Sequence, residues 1–159
     1  LKKKFDTRAN FINELIDKNK KELKFNILGL YNEQPKWNHD FNSELILAKT
    51  ALNLSRGGPN KYSSSNRIAS IMGNGVLPFI HEDVMYQNFF DNDEIETYKD
   101  STDLIKKLEL VINNTKMLVL RSKNAKKRYF EIFSNKIVAD FIIHKIFENK
   151  NKYKHIWSD

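Results

Sequence analysis

The side chains best suited to chemistry are concentrated in residues 55–75, SRGGPNKYSSSNRIASIMGNG. The stretch leaves an apolar run, turns through Gly57, Gly58 and Pro59, presents the cations Arg56 and Lys61, and enters a helical pattern through Ser63, Ser64, Ser65, Asn66 and Arg67. A helix N-terminus offers backbone N–H groups without partners and the positive end of the helix dipole, so hydroxyls and cations beside it make a phosphate site. The Walker pattern G-x-x-x-x-G-K-[ST] is absent, which sets the stretch apart from a P-loop. The same residues also read as a plain capped turn, with the serines closing the helix and the glycines only reversing the chain. Local chemistry leaves both readings open.

Elsewhere the candidates are few. His39, His81, His144 and His155 are far apart and lack metal-ligand spacing, so no metal site is expected. The chain has no cysteine, which excludes disulfides and thiol nucleophiles and fits a reducing compartment. No G-x-S-x-G elbow supports serine hydrolase chemistry, and no RNA-recognition or zinc-finger signature occurs. Phe130, Phe133, Phe141 and Phe147 recur at helical spacings and read as core, not as a base-stacking platform. No catalytic residue is assigned.

These residues need a scaffold, and the apolar pattern supplies one. Phe11, Ile12, Leu15 and Ile16 mark a helix between 7 and 20; KFNILGL at 24–30 reads as a buried strand; 42–49 reads as a short helix and 51–55 as the next strand. A helix carrying Ile68, Ala69, Ile71 and Met72 ends at Gly73–Gly75, followed by strands over 76–80 and 94–98. Asp100, Ser101 and Thr102 offer an N-cap for a helix with Leu104, Ile105, Leu108, Val111 and Ile112, and two closing helices fill 115–148. The alternation predicts an α/β domain with a doubly wound, Rossmann-like parallel sheet and a helical C-terminal segment. In that class ligands lie beyond the carboxyl ends of the strands, here the loops 31–41, 56–65 and 81–93.

With 159 residues, 40% hydrophobic and 12% aromatic, the chain is one domain over 1–159 with a real core. It starts at Leu1 without a methionine and is expected to be a fragment of a longer protein. No apolar run approaches the ~20 residues that cross a bilayer, and the Lys-rich start lacks the apolar stretch of a signal peptide, so a cytoplasmic location is expected. The net charge of +7 is uneven: residues 1–113 hold 16 basic and 16 acidic side chains, residues 114–159 hold 11 and four. Lys116, Arg121, Lys123, Lys126, Lys127 and Arg128 crowd this last third and predict a weak, salt-sensitive contact with an anionic membrane.

The stretch from Arg67 to Pro78, RIASIMGNGVLP, resembles the R-x-x-E-x-x-x-x-G-x-x-P block of the C-terminal, donor-binding half of GT-B glycosyltransferases of the group 1-like kind. The downstream order is similar too: Phe89 and Phe90, then Asp93, Glu94 and Tyr98, then Asp103 and Leu104, then Lys126, Arg128 and Tyr129. The likeness runs over about residues 24–148. It implies a metal-independent transferase of sugar from a nucleotide-sugar donor to an envelope or polysaccharide acceptor, with no cofactor and with the acceptor-binding N-terminal half outside this chain. Together with the local chemistry of the loop, it places donor phosphate contact at Arg56, Lys61, Ser63, Ser64, Ser65, Asn66 and Arg67, and ribose or sugar contact at Ser70 and Glu94. Ser70 stands where the family carries the ribose-binding glutamate, and its hydroxyl is shorter and uncharged. The expected partners are the nucleotide sugar, the N-terminal half and the inner face of an anionic membrane; nucleic acid is not expected. The competing reading is a non-catalytic α/β module whose basic C-terminal helices contact nucleic acid or a membrane, and Ser70 also fits a domain that has lost donor binding.

Overall fold

A computed structural model describes residues 7–20, 23–148 and 155–156. In chain order the elements are α1 (Thr7–Lys18), α2 (Asn38–Leu47), β1 (Thr50–Asn53), α3 (Asn66–Gly73), β2 (Leu77–His81), two 3₁₀ turns (Glu82–Val84 and Tyr86–Asn88), β3 (Glu96–Tyr98), α4 (Ser101–Asn113), α5 (Thr115–Phe133) and α6 (Asn135–Phe147). The sheet runs β1-β2-β3 and is parallel throughout, with Thr50 paired to Leu77, Asn53 to Ile80, Phe79 to Glu96 and His81 to Tyr98. Helices cover both faces, as the alternating pattern predicts for a Rossmann-like α/β domain.

The central strand β2 shows why. Leu77, Pro78, Phe79 and Ile80 are all buried, which a strand can satisfy only when both of its faces are covered. Successive side chains point to opposite faces. Leu77 and Phe79 join Leu15 of α1, Leu104, Ile105 and Leu108 of α4 and Leu118 of α5 on one side. Ile80 joins Ile68 and Met72 of α3 and Ala125 and Ile132 of α5 on the other. Each fully buried Leu, Ile or Phe contributes about 1.5–3 kcal/mol relative to exposure. Asp100 caps α4, accepting from Thr102 N at 2.8 Å and Asp103 N at 2.9 Å.

Three expectations are corrected. Residues 24–30 form no strand: 23–27 is irregular and 28–32 turns, with Gly29, Tyr31 and Asn32 at φ of 81°, 55° and 66°. Left-handed backbone at three of four successive positions cannot extend a strand, so the apolar side chains of this run pack from outside the sheet, Phe25 against the α1–α4 core. The basic C-terminal third is partly structural. Arg121 is buried and donates to Glu96 Oε2, Asn92 O and Ile95 O, each at 2.6 Å, tying α5 to the start of β3. Arg128 Nε is half-buried and donates to Phe89 O at 3.1 Å. Finally, Phe130 and Phe147 are exposed, because the buried stripe of α5 runs through Leu118, Ser122, Ala125 and Ile132 and leaves Phe130 off it, and α6 buries only Ile137.

Candidate functional site

The loop from Leu54 to Ser65 joins the carboxyl end of β1 to the N-terminus of α3, and its order is set from the strand side. Asn53, the last residue of β1, is buried, and its Oδ1 accepts a hydrogen bond from Ser65 Oγ at 3.2 Å. Ser65 is the N-cap of α3: its Oγ accepts from Ile68 N at 3.4 Å and its carbonyl from the same N–H at 3.1 Å. The backbone N–H groups of Asn66 and Arg67, the first two of the helix, take no part in this cap and remain donors at the positive end of the helix. Ser63 Oγ lies 3.2 Å from Ser55 Oγ. Ser63 and Ser65 therefore have partners inside the protein, and for Ser65 the capping reading holds.

Arg67 has a different environment. Its Nη1 donates to Leu54 O at 2.9 Å, the guanidinium is half-buried, and among the described residues no carboxylate lies within ion-pair distance of it. Burial, and secondarily the charge of Arg8 on α1, hold its pKa below the ordinary guanidinium value. A desolvated cation with no carboxylate near it among the described residues is costly by itself and suits an anion. Ser70 lies one turn further along α3, on the same face as Arg67, half-buried, with its carbonyl taken by Asn74 N and Nδ2. Arg56, Lys61 and Asn66 are exposed, and Lys61 Nζ sits 4.9 Å from the centre of the Tyr62 ring.

Glu94 is not brought to this cluster. It precedes β3 at the amino end of the sheet, where its carboxylate accepts from Asp91 N at 2.9 Å and stands 3.9 Å from Arg128 Nε. Burial raises its pKa above the usual glutamate value. Asp91, Asp93 and Glu94 gather their carboxylates within 4.8 Å of one another, a grouping that a search for histidine spacing overlooks. Asn124 Nδ2 donates to Asp93 at 2.7 Å.

On the other flank of the α3 N-terminus is an aromatic slot of about 240 Å³ lined by Tyr62, Ser64, Tyr86, Phe89, Tyr129 and Phe133. Its two loop walls are clasped by Tyr62 N donating to Val84 O at 2.8 Å and Asn88 Nδ2 donating to Tyr62 Oη at 2.7 Å. Tyr62 and Met85 both hold left-handed backbone, φ 57° and 60°, a strain of order 1–3 kcal/mol each of the kind that persists where surrounding structure enforces it. Burial raises the pKa of the Tyr86 and Tyr129 phenols, keeping them neutral hydrogen-bonding groups. A larger cavity of about 440 Å³ lies against residues 25–36, far along the chain from these loops, and its lining cation Lys36 is already paired with Glu44. Sequence reasoning missed Arg8, which lies far from the loop in the chain, and Tyr62 as a slot wall; the only signal for the latter was an aromatic residue inside an otherwise small-residue loop.

Residues 7–143 match the family described as glycosyl transferase-like. No curated protein and no solved structure matches the chain.

Proposed function

The chain belongs to the glycosyl transferase-like family, and from that premise we propose that it is the donor-binding half of a metal-independent GT-B enzyme, holding a nucleotide sugar while the sugar passes to an envelope or polysaccharide acceptor. The observation that carries this is Arg67. A half-buried guanidinium that no carboxylate among the described residues pairs, at the mouth of a capped helix N-terminus, costs the free protein stability and suits a diphosphate. In the reaction the bond between the sugar and the diphosphate breaks and negative charge grows on the leaving nucleoside diphosphate. Arg67, the N–H groups of Asn66 and Arg67, and Lys61 on the exposed loop are the groups to stabilise that charge, which preorganised donors in a desolvated site do well.

Ser63 and Ser65 rank below the backbone in this reading, because their hydroxyls already serve Ser55 and Asn53. Ser70, on the Arg67 face, takes the ribose with a hydroxyl in place of a carboxylate. The residue that activates the acceptor belongs to the N-terminal half. Lys116, Lys123, Lys126 and Lys127, exposed along α5, remain the cations for an anionic membrane face, with Arg121 and Arg128 withdrawn from it. Thermal unfolding against a panel of nucleoside diphosphates tests the reading. At about 100 times its dissociation constant the preferred one adds ~2.7 kcal/mol, and a panel in which none shifts the midpoint refutes it.

A further inference from the structure

We propose that α6 lies in the plane of an anionic lipid surface and buries its outward face among the acyl chains. The inference rests on the membrane contact given above to the lysines of α5 and adds the element that enters the lipid. Lys136, Ala139, Ile142, Ile143, Ile146 and Phe147 recur at spacings of three and four, so they share one face of α6, and all are exposed. Ile142 and Ile143 are each 49% exposed, Ile146 65% and Phe147 67%, while the helix buries only Ile137. A helix laid on a domain turns its apolar stripe to the core and charged or polar residues to water. Here the side turned away from the core carries four large apolar side chains within two turns.

Charge selects what covers this face. From Thr115 to Phe147 the chain carries eight Lys and Arg and two carboxylates, Glu131 and Asp140. Both carboxylates are engaged, Glu131 3.8 Å from Lys127 Nζ and Asp140 3.2 Å from His155 Nε2. The outward face of α6 thus holds Lys136 and no carboxylate, Lys145 is exposed at its edge, and Glu148 stands beyond it as the C-cap. A second copy docked face to face would set these lysines against their own equivalents, and the packed centre of a protein interface is depleted in Lys. Anionic headgroups accept the cations while the acyl chains beneath them accept the apolar row. The helix has 13 residues, about 20 Å at ~1.5 Å per residue, against a hydrocarbon core of ~30 Å, so it lies along the interface and does not cross it. Ser134 alone separates α6 from α5, and the exposed Lys126 and Lys127 stand about two helical turns, roughly 12 Å, before that joint.

Vesicle binding separates insertion from charge. The chain is sedimented with vesicles of phosphatidylcholine alone and of phosphatidylcholine with an equal part of phosphatidylglycerol. The parent is expected to partition at least about tenfold more strongly to the anionic vesicles. Ile146→Ser combined with Phe147→Ser, both on the exposed face so that the core stays intact and circular dichroism reports folding, should lower that partitioning about tenfold. Lys126→Ala combined with Lys127→Ala should lower it on the anionic vesicles and leave the phosphatidylcholine level unchanged. Because the chain has no cysteine, Phe147→Cys accepts one environment-sensitive fluorophore, whose emission should shift to the blue on the anionic vesicles. The same label at Leu110→Cys, an exposed position on α4, should not shift. A serine double variant that partitions like the parent, or a Leu110 label that shifts as far as the Phe147 label, overturns insertion by α6 and leaves the lysine contact standing. A parent that dimerises without lipid in sedimentation velocity, and that the serine double variant converts to a monomer, gives the face to a second copy and also overturns it. A parent that ignores anionic vesicles overturns insertion and lysine contact together, whereas the donor reading stands or falls on the nucleoside diphosphate panel.

Discussion

Arg67→Met should move stability and ligand affinity in unlinked ways, and the size of each effect follows from the environment of the guanidinium. In the free protein Arg67 makes one hydrogen bond, to Leu54 O, of net value about 0.5–1.5 kcal/mol. Against that stand the burial of a charge with no anion and the like charge of Arg8. The two sides nearly cancel, so the free variant is expected to lie within about 1 kcal/mol of the parent, about 2–4 °C in midpoint. With ligand the balance tips. A charge-assisted bond to phosphate is worth about 1.5–3 kcal/mol, and the loss of about 2 kcal/mol weakens binding about 30-fold. At a nucleoside diphosphate concentration 100 times the parent's dissociation constant, the parent gains ~2.7 kcal/mol and the variant only about 0.9 kcal/mol. Thermal scans of both proteins, with and without ligand, should read ligand shifts of roughly 5–11 °C and 2–4 °C. A free variant that melts more than about 10 °C early makes Arg67 a structural strut, and one that keeps the full ligand shift removes it from the phosphate site.

Two further outcomes test the scaffold. Arg121→Ala leaves Glu96, Asn92 O and Ile95 O without their donor in the interior and should cost about 3–5 kcal/mol by urea unfolding; a loss under about 1 kcal/mol would return Arg121 to the surface. Asp100, whose carboxylate accepts from Asp103 N and Thr102 N, has its folded pKa held below the ordinary aspartate value, so its contribution is present above about pH 4 and lost as pH falls through the lower folded value. Asp100→Asn should flatten the acid limb of midpoint against pH, and an unchanged acid limb contradicts the cap.

The parts of the fold legible in the sequence are those whose burial leaves a period. The run VLPFI, set between a glycine turn and a polar turn, reads as a strand covered on both sides, and Leu104, Ile105, Leu108 and Val111 read as one helix face; both hold, with β2 at Leu77–His81 and α4 at Ser101–Asn113. KFNILGL carries the same apolar density without the same outcome, because a short run records only that it is buried. Whether it joins the sheet depends on backbone dihedrals at Gly29, Tyr31 and Asn32; glycine and asparagine take left-handed geometry readily, whereas at Tyr31 it is costly and not foreseeable from local propensity. Charge was misread for a related reason. A run of cations looks like a surface, yet Arg121 sits one turn from Leu118 and Ala125 on the buried stripe, and only the tertiary placement of Glu96 makes that position tolerable.

The site divides along the same line. Its first component, a helix mouth after a glycine turn, is local: Ser65 caps α3 within three residues, so the serine pattern announced it. Its second component is non-local. The charge of Arg8 on α1 bears on Arg67, and Phe89, Tyr129 and Phe133 meet Tyr62 and Ser64 from the 86–89 turn and α5. No spacing in a single sequence encodes those meetings, since each is set by how β2 and α5 cross beneath α3. The consequence is an asymmetry between the two flanks of one helix end. One flank offers a cation that no anion among the described residues pairs, the other a set of rings around an open slot, and Ser63–Arg67 is the short segment shared by both.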